Sequence, residues 1–150
     1  MAGRMTLDPD FKEFVQLLSD NSVRYLIVGG YAVAAHGHPR YTKDLDIWIW
    51  LDSTNADHLI NALRDFGFGA LGLKPDDFLE PDQIIQLGYP PNRIDLLTTV
   101  PGVTFESCFP DRQVIEIDGV AVNFIDLENL KKNKRASGRA QDLADLENLA

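Results

Sequence analysis

The chain has 150 residues, 45% of them hydrophobic and 25% charged, which suits one folded domain with a real core and excludes a disordered chain. Its formal net charge of −9 argues against a general nucleic-acid binder, because phosphate affinity rests on basic side chains. No apolar run approaches the ~18 residues that a membrane helix needs, and the first ten residues carry no secretory signal.

In chain order, DPDFKEFVQLLSDN at 8–21 reads as a helix, with Asp8 at the N-cap, Pro9 at the first position and Phe11, Phe14, Val15 and Leu18 as its apolar stripe. VRYLIV at 23–28 is a strand stopped by Gly29 and Gly30, and an alanine-rich helix over about 30–36 ends at Gly37. LDIWIW at 45–50 is a second strand with bulky apolar side chains on both faces, which predicts a central place in the sheet. Ser53 or Thr54 caps a helix running to about Phe66, and 67–82 reads as a long loop of functional or mobile character. Strands at 83–88 and 93–98 are joined by the turn YPPN, and Asp118-Gly119 marks a hairpin within 114–125. Helices at about 126–134 and 137–149 close the chain, the second capped by Ser137 and bearing an apolar stripe of Leu143, Leu146 and Ala150. The whole is expected to be one domain over 1–150. Its one cysteine, Cys108, has no internal disulfide partner, which suits a reducing cytoplasm.

Acidic residues supply the chemistry. Asp44 and Asp46 stand two apart at the entrance to a strand, so both carboxylates project from one face. Like charges held that close call for a cation between them, and hard Mg²⁺ prefers oxygen ligands. Asp95 lies among Ile94, Leu96 and Leu97, so its charge needs a partner. If its strand lies beside 45–50, the three acids can hold two metal ions of the kind that clamp a phosphoryl transfer.

Gly29 and Gly30, between a strand and a helix, can turn backbone N–H groups toward a phosphate. Arg40 and Thr42 lie just before Asp44, where an arginine could hold a triphosphate. His36, His38 and His58 read as surface or capping residues rather than metal ligands. Five cations fall within 131–139, and on charge alone they read as a solvated helix end.

GGYAVAAHGHPRYTKDLDIWI at 29–49 resembles the opening of the minimal nucleotidyltransferase superfamily: a glycine pair, a short helix, Arg-x-Thr, then Asp-x-Asp before an apolar strand. RIDLLT resembles its third-acid strand, and 133–149 resembles the closing helices of the uncharacterised bacterial branch related to abortive-infection toxin nucleotidyltransferases. The resemblance implies an α/β (α+β) nucleotidyltransferase fold: a mixed central sheet flanked by helices, with a C-terminal β-hairpin and two closing helices. It implies that Gly29, Gly30, Arg40, Thr42 and Lys134 bind the nucleotide, and that Asp44, Asp46 and Asp95 hold Mg²⁺, with Asp95 the third ligand or the general base. Asp142 matches a late acid of the family, with Arg139 its partner. Gly30 departs from the serine of many catalytic members, leaving backbone donors alone at that point.

The expected activity is Mg²⁺-dependent transfer of a nucleoside monophosphate from a nucleoside triphosphate to an acceptor hydroxyl on RNA, protein or a small molecule. The alternatives are an inactive binding module or partner in a toxin–antitoxin-like system, and a metal-dependent phosphohydrolase. A cognate protein or a second copy of the chain is the expected partner, with no membrane involved.

Overall fold

The computed structural model describes residues 7–38, 44–89 and 92–149. Arg40, Thr42, Ala150 and the two prolines of the YPPN turn therefore lie outside the described residues.

Helix α1 (Pro9–Asp20) opens with the Asp8 carboxylate accepting from the Asp10 N–H at 2.9 Å, and it buries the predicted stripe of Phe11, Phe14, Val15 and Leu18. Strand β1 (Tyr25–Val28) leads directly into α2 (Gly29–Ala35), followed by β2 (Leu45–Ile49) and α3 (Ser53–Asp65). The cap of α3 is Asp52, not Ser53 or Thr54: its carboxylate accepts from the Asn55 N–H at 3.0 Å. The predicted loop at 67–82 contains two 3-10 turns, Gly69–Leu71 and Pro75–Phe78, and Phe78 anchors it in the core with no exposure. Strands β3 (Ile84–Leu87) and β4 (Ile94–Leu97) follow, then a single helical turn, α4 (Phe105–Cys108). The hairpin is β5 (Gln113–Ile117) and β6 (Val120–Phe124), with Asp118 and Gly119 both at positive φ. Helices α5 (Leu127–Ser137) and α6 (Ala140–Leu149) finish the chain.

The six strands form one mixed sheet in the order β3-β4-β2-β1-β6-β5. β2 is central, as its apolar faces require, between antiparallel β1 and parallel β4. Leu45, Ile47 and Ile49 on one face are fully buried. The other face carries Asp46 at its entrance and Trp48 further on, edge-on to Phe105 of α4 at 5.3 Å between ring centroids. The exit of the β1–β2 pair is pinned by Asn55, whose amide accepts from the Arg24 N–H and donates to the Arg24 and Trp50 carbonyls. A buried side chain that satisfies three backbone groups fixes α3 against the strand ends.

The closing helices differ from the sequence expectation in two ways. Ser137 is the last residue of α5 and caps nothing; Gly138, in the left-handed region at φ 64°, ends that helix by donating its N–H to the Lys134 carbonyl. The inward face of α6 is not the predicted leucine stripe. Leu143 is exposed and Leu146 half-buried, while Asp142, Asp145 and Leu149 are buried. The turn at Gly138 sets this rotation, and a buried lysine across the interface rewards it.

Candidate active site

Parallel pairing of β2 and β4 sets Asp46 directly beside Asp95, with Leu45 opposite Ile94 and Ile47 opposite Leu96. Strand alternation then puts both carboxylates on one side of the sheet. Both line a cleft of about 790 Å³ between the sheet and the closing helices, together with Gly29, Lys134 and Arg139. Asp44, just ahead of β2, joins them through Arg93. The Arg93 Nη2 donates to Asp44 Oδ2 at 2.7 Å and to Asp95 Oδ2 at 3.2 Å, while Nε donates to Asp95 Oδ1 at 2.9 Å. The three acids are thus brought to one place, but a guanidinium stands between two of them. Among the described residues, no three His, Cys, Asp or Glu side chains are arranged to hold an ion as they stand.

Asp46 is left outside the arginine fork and has no hydrogen-bond or ion-pair partner among the described residues. Its own burial, then the charges of Asp95 and Asp44, push its carboxyl up to about 6, against the opposing pull of Lys134 and Arg139. Arg93 is held above the usual arginine value, chiefly by its hydrogen bonds to Asp95. Carboxylate oxygen is the donor chemistry that a hard divalent ion takes, and Asp46 offers it with no hydrogen-bond partner among the described residues.

Gly29 is placed by this same carboxylate. Its φ of +69° lies in the left-handed region, and a Cβ there would collide with Asp46 Oδ2. Only glycine lets the start of α2 approach the acid so closely. Gly29 lines the cleft, whereas Gly30 is buried inside α2.

Lys134 corrects the expectation drawn from charge. It is no solvated helix end but 4% exposed, with its ammonium 3.1 Å from Asp142 Oδ1 and 3.0 Å from Asp145 Oδ2. Asp142 also accepts from Arg139 Nε at 2.8 Å and from the Arg139 backbone N–H at 3.2 Å. Burial would raise the Asp142 carboxyl, but the hydrogen bonds from Arg139 and Lys134 hold it below the usual range. Arg139, by contrast, is largely exposed at the cleft mouth. His36 and His58 make backbone contacts, to the Ile125 and Ser22 carbonyls.

Two residues of this site escaped the sequence reading. Arg93 stands two before Asp95, the spacing that puts both on one face of a strand. Asp145 stands three after Asp142, the spacing that puts both on one face of a helix.

No family model matches the sequence, and no curated protein matches it. Solved structures do match the fold. The chain is similar to a Thermotoga maritima protein assigned as a nucleotidyltransferase, TM1012, at 15% identity and a TM-score of 0.61, covering 97% of this chain and 94% of that one. It is similar to an antigenic nucleotidyltransferase-like protein of Paracoccidioides brasiliensis at 17% identity and a TM-score of 0.53, covering 97% of this chain and 78% of that one. A third likeness is to the lincosamide antibiotic adenylyltransferase LnuA with lincomycin bound, at 15% identity and a TM-score of 0.53, covering 96% of each chain. The chain has the nucleotidyltransferase fold. None of its described helices is long and apolar enough to cross a membrane.

Proposed function

We propose that this chain is a metal-dependent nucleotidyltransferase that moves a nucleoside monophosphate from a nucleoside triphosphate to an acceptor hydroxyl. The observation that carries this is the register of β2 and β4, which sets Asp46 beside Asp95 at the floor of a cleft rimmed by Gly29 and Arg139. Asp44, Asp46 and Asp95 would hold Mg²⁺, as one ion or two, which when bound neutralises phosphate charge and polarises the phosphorus centre. Arg139 favours the triphosphate by charge, and Gly29 lets the chain approach it closely. Asp95 accepts the proton of the acceptor hydroxyl. The acceptor oxygen forms a bond to the α-phosphorus as the bond to the bridging oxygen breaks, and pyrophosphate leaves with that electron pair. The protein contributes positioning and charge, with no covalent intermediate.

A second reading is favoured by Gly30 in place of serine and by the guanidinium seated between Asp44 and Asp95: an inactive binding module that keeps the fold and uses the acids structurally. Incubation with α-labelled triphosphates, Mg²⁺ and cell extract separates the two. Label transfer by the native chain and none by Asp46→Ala supports the enzyme; equal labelling, or none by either, supports the binding module. The acceptor, the base of the nucleotide and any role in a toxin–antitoxin-like pair follow from identifying the labelled product.

A further inference from the structure

We infer that Arg93 is an internal cation that competes with a divalent ion for Asp44 and Asp95, so that the acid trio takes up metal only when this guanidinium is displaced. This rests on the metal-dependent reading of the same site. Arg93 engages both oxygens of Asp95, at 2.9 and 3.2 Å, and one oxygen of Asp44, at 2.7 Å. These are the oxygens an ion shared by the trio would need. A guanidinium stays charged across the working pH range, so it cannot step aside by losing a proton; it must move. The side chain is only partly enclosed, at 26% exposure, which leaves it solvent to move into. Asp46 lies outside the fork and can receive a cation without first releasing Arg93.

A divalent ion is drawn to the carboxylates, yet both oxygens of Asp95 already accept from Arg93. Removing the guanidinium should therefore strengthen metal binding, the opposite of what loss of an ordinary binding residue does.

The test is a Mn²⁺ titration of the full chain, reading free ion by electron paramagnetic resonance, for the native protein, Arg93→Gln, Arg93→Lys and Asp46→Asn. Two partly screened ion pairs removed should tighten binding in Arg93→Gln by roughly tenfold. Arg93→Lys, which keeps the charge but loses the fork, should fall between it and the native chain. Asp46→Asn should bind more weakly than either. In parallel melts, metal-free Arg93→Gln should unfold at a lower temperature than the native chain and gain more from added Mn²⁺. Should Arg93→Gln fail to fold, tighter binding by Arg93→Lys still supports the competition. Mn²⁺ affinity that is unchanged or weakened in the folded Arg93 variants overturns the role of Arg93 while leaving the metal site standing. No Mn²⁺ bound by any of the chains at millimolar ion overturns the metal site and the competition together.

Discussion

Asp46 and Asp95 sit opposite one another on the parallel strands β2 and β4, two acids from positions 49 residues apart made neighbours by one register. Around them, charge is unevenly settled. Asp95 shares Arg93 with Asp44, while Asp46 has no hydrogen-bond partner among the described residues and is pushed up to about 6.

That raised value has a definite sign in the metal-free protein. An acid whose folded-state value lies above its unfolded value favours the folded chain when protonated, so its contribution is present near pH 4 and is lost as pH rises through about 6. Asp46→Asn should match the native chain near pH 4 and exceed it near pH 8, by on the order of 2 kcal/mol after allowance for its half-buried setting. Urea denaturation of both proteins at the two pH values, with chelator present, measures the difference. A variant no more stable than the native chain at the higher pH would show that burial and the neighbouring charges do not strain the Asp46 carboxylate.

Lys134 is the structural counterpart of that strain. Lys134→Met removes the cation that buried Asp142 and Asp145 share, with Arg139 still on Asp142, and should cost about 3 kcal/mol. Adding Asp142→Asn and Asp145→Asn to Lys134→Met should recover part of that loss, since the buried charges the lysine offset are gone. Chemical denaturation of the single and triple variants gives the comparison; additive losses would contradict the pairing.

At Gly29, Gly29→Ala asks an alanine to hold a left-handed φ and to place its Cβ against the Asp46 carboxylate. The backbone cost alone is about 1–3 kcal/mol. Asp46 must also shift, so Mn²⁺ affinity should fall along with melting temperature. Gly37, whose added Cβ would meet nothing within 4 Å, serves as the control: Gly37→Ala carries the backbone cost without the effect on the ion.

Asn55 supports the site from a distance. Asn55→Ala strips the Arg24 N–H and the Arg24 and Trp50 carbonyls of their buried partner and should destabilise the chain by about 1–3 kcal/mol. Because Asn55 lies at the far end of β2 from Asp46, Mn²⁺ affinity should hold at temperatures where the variant stays folded.

Cys108 should be inert in the folded chain. It is fully buried, and burial, with Asp126 nearby, pushes its thiol up to about 11. Alkylation should be slow in buffer and fast in denaturant; rapid modification of the native protein would show that α4 opens.

Several of these features were legible in the sequence because they follow from local periodicity. Asp46 and the apolar run behind it announce an acidic strand entrance, and strand alternation needs no knowledge of the fold. The stripe of α1 and the Asp118-Gly119 turn are likewise local. Lys134 is illegible in the sequence for the opposite reason. A cation near a helix end looks solvated until the next helix is known to turn back at Gly138 and present Asp142 and Asp145 to it. The leucines of α6 misled in the same way, since their spacing suits a helix but does not say which face turns inward.

The chain by itself determined the strands and the longer helices, the acidic residues and the Asp118-Gly119 turn, because helix and strand periods and turns act over a few residues. Only tertiary structure decided that Arg93 lies between two of the acids, that Asp46 stands outside its fork, and that a lysine from α5 is neutralised by α6. Those are contacts between distant segments, set by strand register and helix rotation, and the energies that select them come from burial and charge pairing across the fold rather than from any neighbouring residue.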